Sequence, residues 1–270
     1  MTDFLEQVVA ERRADVERAR GRVPNIVVGT RESPRRGARD ALAWALSLRR
    51  NAGRLAVIAE VKRVSPALGA LRSDVDPIAQ ALAYAGAGAT AISVLTEPRH
   101  WGGSIEDLVA VAEAVDVPVL CKDIIVDAYQ IDEACAAGAD AVLLIAEALD
   151  ADLLHRLVAH ARDLGLGVLV EAHEPAAFSR AVGSGATVVG VNARNLRRPS
   201  ELDIGRVRQL HAFVRADQFL VAESGISSVD DARLLPARVD AVLVGTALMR
   251  ADDPAPLIRG IAGVRRTVHA

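Results

Sequence analysis

Apolar positions recur along this chain with two different periods. From residue 57 onward, short runs rich in Val, Ile and Leu lie near 57–62, 90–95, 117–122, 140–145, 167–171, 187–191, 218–222 and 240–244. Continuous apolar runs of this length read as strands buried on both faces. Between most of them, apolar residues return every three or four positions, as on amphipathic helices. Eight strand–helix units of roughly 20–35 residues imply a parallel sheet. Four strands are preceded by similar turns: Gly88-Ala89-Thr90-Ala91-Ile92, Gly138-Ala139-Asp140-Ala141-Val142, Gly185-Ala186-Thr187-Val188-Val189 and Val239-Asp240-Ala241-Val242-Leu243. This self-similarity favours an α/β fold closed as a (βα)8 barrel over a doubly wound open sheet.

The first fifty residues do not follow that alternation. Residues 2–20 predict one amphipathic helix, with Phe4, Leu5, Val8, Val9, Ala14 and Val16 as its apolar positions. Gly21, Pro24, Gly29, Pro34 and Gly37 mark a loop over 21–37. A second helix at about 38–50 leads to Gly53 and the first strand. The chain therefore reads as one domain over 1–270, a helical extension at 1–53 followed by a barrel at 54–270.

A barrel of this kind carries its chemistry at the C-terminal ends of its strands. Those ends hold Glu60, Lys62, Thr96, Lys122, Ile145, Glu171, Asn192, Glu223, Ser224 and Gly245. In Val57-Ile58-Ala59-Glu60-Val61-Lys62, alternation places Glu60 and Lys62 on one face, and Ser65-Pro66 then opens a loop. An unpaired ion in a core costs several kcal/mol, so an acid and a base at a buried strand end suggest a site. Lys122 ends Pro118-Val119-Leu120-Cys121-Lys122. Beside another lysine and shielded from water it is expected to have a lowered pKa and to act as an acid; the alternative is a lysine snorkelling to solvent. Glu171 is either a catalytic carboxylate or the ion-pair partner of a lysine. Asn192 can donate to a developing oxyanion, Arg194 can meet a phosphate or carboxylate, and Asn195 fits an Asx turn. Glu223-Ser224-Gly225 and Gly245-Thr246 follow the last two strands, where barrels of this type bind phosphate.

Composition narrows the class. The 270 residues are 51% hydrophobic, enough for a large core, and the net charge of −3 gives no footprint for nucleic acid or an anionic membrane. No run approaches the roughly 18 apolar residues of a membrane span, and the acidic, amphipathic start is unlike a secretion signal. Cys121 and Cys135 make no disulfide framework, which suits a cytoplasmic protein; Cys121 is expected in the core, facing the helices. The six histidines show no metal-ligand spacing and read as solvated, so no metal is expected.

Taken together, the strand-end motifs resemble the indole-3-glycerol phosphate synthase family. The resemblance rests on Ile58-Ala59-Glu60-Val61-Lys62-Arg63-x-Ser65-Pro66, Ile92-Ser93-Val94-Leu95-Thr96-Glu97, Gly103-Ser104, Leu120-x-Lys122-Asp123 and Tyr129-Gln130-Ile131. It continues through Leu169-Val170-Glu171-x-His173, Gly190-Val191-Asn192-x-Arg194-Asn195-Leu196 and Glu223-Ser224-Gly225-Ile226. The motifs run in order from about residue 55 to 260, and the family's extra N-terminal helix suits the extension here.

The resemblance implies conversion of 1-(2-carboxyphenylamino)-1-deoxyribulose 5-phosphate to indole-3-glycerol phosphate in tryptophan biosynthesis, without cofactor or metal. It assigns Lys122 as general acid, Glu171 as the carboxylate that takes or relays protons, and Lys62 to the substrate carboxylate. Glu60 and Asn192 would orient the lysines and the sugar hydroxyls. Ser65, Arg194, Leu196, Glu223, Ser224, Gly225, Gly245 and Thr246 would serve substrate or phosphate binding, and Trp101 would line the ring pocket. The chain departs from the family at Ile124, where an aromatic is common, at Ala67 in place of a serine, and at His100 and Gly102 beside Trp101. A monofunctional monomer is expected. The rivals are another phosphate-binding barrel, such as phosphoribosylanthranilate isomerase, which leaves the lysine–glutamate set unexplained, and an idle barrel that binds a phosphorylated metabolite.

Overall fold

The eight apolar runs form eight parallel strands of one closed barrel in the computed structural model, which describes residues 3–28, 40–72 and 74–266. The helical extension comes first, as α1 (Phe4–Arg22) and α2 (Ala41–Asn51). The strands follow as β1 (Ala56–Val61), the short β2 (Val64–Ser65) and β3 (Gly69–Ala70), β4 (Ala91–Leu95), β5 (Val119–Lys122), β6 (Ala141–Ile145), β7 (Gly167–Ala172), β8 (Val188–Asn192), β9 (Phe219–Glu223) and β10 (Ala241–Val244). Helices α3 (Pro77–Gly86), α4 (Ile105–Ala114), α5 (Ala128–Ala136), α6 (Ala151–Asp163), α7 (Pro175–Gly183), α8 (Arg206–Leu210) and α9 (Val229–Arg233) connect them; α10 (Thr246–Arg250) and α11 (Ala255–Ala262) close the chain. β1 pairs with both β4 and β10, which closes the barrel.

Two predicted boundaries shift by a few residues, as element ends do. The first helix runs to Arg22, and the second begins at Ala41 behind Asp40. The loop expected over 21–37 lies outside the described residues from 29 onward. The loop expected after Ser65 contains a small antiparallel hairpin, β2 with β3, which two-residue strands leave invisible to periodicity. Helix starts follow from capping chemistry. Asp3, Asp40, Asp76, Ser104, Asp127, Asp150 and Ser228 each accept a first-turn backbone N–H that would otherwise lack a partner.

Alternation along the strands divides the core in two. Val57, Val94, Cys121, Val142, Val170, Val191, Ala222 and Val244 face outward and pack under the helices. Ile58, Leu120, Leu143, Leu169, Val188, Val221 and Leu243 fill the barrel interior. Cys121 is buried in the outer layer, as expected, and burial pushes its thiol up to about 12, which makes it inert. The extension caps the barrel at both ends. Leu42, Ala43 and Leu46 of α2 join the interior cluster with Ala56, Ala141 and Ala241 from the strand starts. Arg50 of α2 holds Asp240 at 2.6 Å and lies 3.9 Å above the Phe219 ring. At the other end, Leu5 and Val8 of α1 pack with Ile124 and Val126 beyond β5. Arg12 of α1 grips Asp123 through two hydrogen bonds of 2.9 and 2.8 Å. The strand interiors are thus buried Ala, Val, Ile and Leu, with charge confined to the strand ends: Asp140 and Asp240 at the starts, and the carboxylates and lysines at the C-termini.

Candidate active site

Strand geometry brings the predicted residues to one mouth. A cleft of about 400 Å3, within the usual range for small-molecule sites, is lined by residues from the C-terminal end of every barrel strand. Glu60, Lys62, Ser65, Trp101, Lys122, Glu171, Asn192, Arg194, Leu196, Glu223, Ser224, Gly225, Gly245 and Thr246 all border it. Among the strand-end residues, Thr96 is the one turned away: its hydroxyl donates to Asp123 at 2.8 Å, on the outer side of the barrel. Leu95 and Glu97 line the cleft on either side of it, as alternation requires.

At the centre, Lys122 Nζ lies 3.7 Å from Glu60, 3.5 Å from Glu171 and 3.6 Å from Glu223. Lys62 Nζ holds the other Glu60 oxygen at 2.6 Å. The expectation of a lowered Lys122 pKa is overturned. Burial pushes it down, but the Glu171, Glu223 and Glu60 carboxylates outweigh burial and raise it above the ordinary lysine value. Lys62, the neighbouring cation on which the expectation rested, is itself bound to Glu60. Burial would raise the Glu60 pKa, yet Lys62 and Lys122 together hold it below the usual range.

Glu223 belongs to this cluster and not with the phosphate groups where its Ser-Gly neighbours suggested it. Its side chain is buried, and neither carboxyl oxygen has a hydrogen-bond partner among the described residues. Burial first, then the Glu171 charge, push its pKa well above the ordinary value. Two glycines make room for these acids. A Cβ at Gly190 would overlap Glu223 Oε1, and one at Gly245 would overlap Glu60 Oε2.

Asn192 wires the neighbouring strands together. Its Nδ2 donates to Glu171 at 3.3 Å, and its Oδ1 accepts from Ser224 Oγ at 2.8 Å and from the Arg194 backbone at 2.9 Å. Ser224 is the one described non-glycine residue with a positive φ, 66°, followed by Gly225 at 77°. That conformation costs a side-chain-bearing residue about 1–3 kcal/mol, and the bond to Asn192 helps hold it. Arg194 donates to the Pro199 carbonyl at 2.6 Å and forms no ion pair with a described carboxylate, so its guanidinium can still meet an anion. Gly245 precedes α10 without any side-chain cap, leaving first-turn N–H groups for a ligand. Asn195 forms the expected Asx turn, accepting from Arg197 N at 3.0 Å.

His173 does not follow the solvated reading. It is buried, with Nδ1 2.8 Å from the Asn192 carbonyl oxygen on the neighbouring strand and Nε2 3.5 Å from the Arg206 guanidinium. Among the described residues no group of three or more His, Cys, Asp or Glu is arranged to hold a metal ion. The motif that ends in Glu97 assigned that residue no role. That carboxylate is fully buried and accepts three successive backbone N–H groups, a pattern that residue identity alone does not reveal.

Comparison with known proteins agrees with this geometry. The family model described as indole-3-glycerol phosphate synthase matches residues 5–261. An indole-3-glycerol phosphate synthase of a Nocardioides species is 53% identical over 211 residues, covering 77% of this chain and 80% of that protein. The one from Laribacter hongkongensis is 43% identical over 256 residues, covering 94% and 97%. The one from a Polaromonas species is 42% identical over 265 residues, covering 98% and 100%. Among solved structures, 3-hexulose-6-phosphate synthase from Salmonella typhimurium superposes with a TM-score of 0.59 at 22% identity, covering 77% of this chain and 97% of that one. At that identity the likeness speaks for the barrel fold alone.

Proposed function

We infer the roles of individual side chains from one premise: this chain belongs to the indole-3-glycerol phosphate synthase family. It is a carboxy-lyase that closes the indole ring of 1-(2-carboxyphenylamino)-1-deoxyribulose 5-phosphate, releasing carbon dioxide and water. The observation that supports our assignment of roles is the Lys122 ammonium surrounded by Glu60, Glu171 and Glu223 at the barrel mouth.

We assign the general acid to Lys122. As the ring carbon attacks the ribulose carbonyl, negative charge develops on the carbonyl oxygen. Preorganised charge aimed at such an oxygen is the largest common source of catalysis. The raised pKa keeps Lys122 protonated until that oxygen becomes basic enough to take the proton. No described carboxylate holds its Nζ closer than 3.5 Å, so its N–H groups can turn to substrate. Lys62, anchored on Glu60, takes the substrate carboxylate before it leaves as carbon dioxide; the electrons of the broken C–C bond restore the aromatic ring. Glu171, oriented by Asn192, removes the carbon-bound proton while the former carbonyl oxygen, now a hydroxyl, takes a second proton from Lys122, itself reprotonated from solvent, and departs as water. Arg194, Ser224, Gly225, Gly245 and Thr246 hold the phosphate. Ser65, Trp101 and Leu196 border the ring side of the cleft, where Ile124 supplies an aliphatic wall.

No helix among the described residues is long and apolar enough to cross a membrane. We propose a cytoplasmic monomer. The assay is conversion of the carboxyphenylamino-deoxyribulose phosphate, followed by indole absorbance, with purified protein in EDTA. Steady turnover is the expected result. Tight substrate binding without turnover would overturn the assigned roles.

A further inference from the structure

We propose that Glu97 is a positioning residue that fixes Trp101 as a wall of the substrate-ring pocket, and that it acts on substrate affinity and not on the chemical steps. This rests on the reading of Trp101 as a ring-pocket residue.

Glu97 follows β4 and turns toward the cleft, where its side chain is fully buried. A buried carboxylate normally has a cation beside it. Among the described residues, Glu97 forms no ion pair. Three consecutive backbone N–H groups stand in for the cation: Arg99 donates to Oε1 at 3.1 Å, while His100 and Trp101 donate to Oε2 at 2.6 and 3.1 Å. The Glu97 carbonyl oxygen also accepts from Gly103 N at 2.8 Å. One residue thereby closes the whole 97–103 turn on itself. Gly102, at φ 64°, and Gly103, where a Cβ would overlap the Leu95 carbonyl, permit so tight a path.

Contacts on the outer side cannot replace this closure. Arg99 pairs with Asp15 at 2.6 Å, His100 with Glu11 at 2.7 Å, and the Phe4 ring lies 5.9 Å from that of Trp101. These tie the turn to α1 through side chains and leave the backbone of residues 99–101 without another acceptor. The Trp101 carbonyl in turn accepts from Val64 N at 3.3 Å, so the turn is coupled to the loop after β1 that carries Ser65. Replacing either carboxylate oxygen with an amide NH2 sets a donor against at least one of the three adjacent N–H groups and weakens the rest by removing the charge, and the indole moves with them. Lys122, Glu60 and Glu171 lie on other strand ends and keep their contacts.

The test uses Glu97→Gln, which is isosteric but turns a donor toward the N–H groups. Trp44, largely exposed on α2, is the only other tryptophan, so a Trp44→Phe background makes Trp101 the sole emitter. The expected result is a KM raised about 10-fold or more, from displacement of a substrate-positioning group, with kcat within about 3-fold. Trp101 emission shifts to the red and loses its response to substrate. Unchanged KM with unchanged emission would overturn the proposal. A lowered kcat at unchanged KM would also overturn it, by giving Glu97 a chemical role. Trp101→Ala separates this inference from its premise. If that variant keeps the wild-type KM, the ring-pocket reading fails and the inference with it. If Trp101→Ala raises KM while Glu97→Gln does not, only the inference fails. Should Glu97→Gln not fold, Glu97→Asp withdraws both oxygens by one methylene and is judged by the same kcat and KM criteria.

Discussion

Replacing Lys122 with Met tests the electrostatic account of the site through both stability and turnover. The side chain keeps its length and apolar stem but loses the charge that faces Glu60, Glu171 and Glu223 at 3.5–3.7 Å. At an effective dielectric of about 20, each such contact is worth roughly 4–5 kcal/mol before desolvation is subtracted. Glu60 retains Lys62, and burial and Glu171 already raise the Glu223 pKa, so the variant can relax by taking up one proton on a buried carboxylate. For a glutamate with an unfolded pKa near 4.3, that proton costs about 1.36 × (7 − 4.3), or roughly 3.7 kcal/mol, at pH 7. The same sum at pH 5.5 gives about 1.6 kcal/mol. A carboxyl whose folded pKa is raised contributes stability below its unfolded pKa and loses it as pH rises toward the folded value. The deficit of the variant therefore grows with pH by about 1.4 kcal/mol per unit. At roughly 2–4 °C per kcal/mol for a chain of this size, the Tm gap from wild type should be about 3–6 °C at pH 5.5 and about 7–15 °C at pH 7. Thermal unfolding across pH 5.5–7 measures this, and turnover at saturating substrate should fall at least about 100-fold. A Tm gap that does not change with pH would refute the shared-charge argument; wild-type turnover would remove Lys122 from the mechanism.

Glu223→Gln removes a buried acid whose pKa is raised by burial and by Glu171. Its Tm relative to wild type should rise between pH 5 and pH 7, since glutamine has no proton to lose; a constant difference would show that Glu223 titrates normally. Arg194→Ala should raise KM by about 10-fold or more with kcat little changed, because phosphate contacts bind ground and transition state alike. An unchanged KM would reduce Arg194 to its bond with Pro199. Gly245→Ala should cut kcat by about 10-fold or more, with its circular dichroism spectrum intact, because the new Cβ displaces the Glu60 carboxylate. Wild-type kcat in that variant would show that Glu60 can move aside without loss.

The barrel was legible because two-sided burial forces continuous apolar strands, and eight of these with helices between them leave few ways to close a sheet. The site was legible for a related reason. A strand with no solvent on either face tolerates charge only at its ends, so Glu60, Lys122, Glu171 and Glu223 stand out against apolar neighbours. Alternation also explains the one strand-end residue placed wrongly. Thr96 shares its face with Ile92 and Val94, which pack under the helices, while Ser93 and Leu95 point inward. The β2–β3 hairpin had no such signal because two-residue strands show no period, and the burial of His173 had none because it depends on Asn192 and Arg206, distant in the chain.

By itself, the sequence determined the fold class, the strand ends that carry chemistry and the residues that make up the cleft, because these follow from local periodicity and from the cost of burying charge. The sign of the Lys122 shift was decided only in three dimensions: it depends on three carboxylates from three strands outweighing burial, and one-dimensional order cannot supply those distances. The same holds for Glu223, which sits beside Ser224 and Gly225 in the chain but beside Lys122 in space. It holds for Gly245, whose missing Cβ leaves room for a carboxylate 185 positions away, Glu60. Electrostatic and steric terms fall off with distance through space, and tertiary structure alone sets that distance.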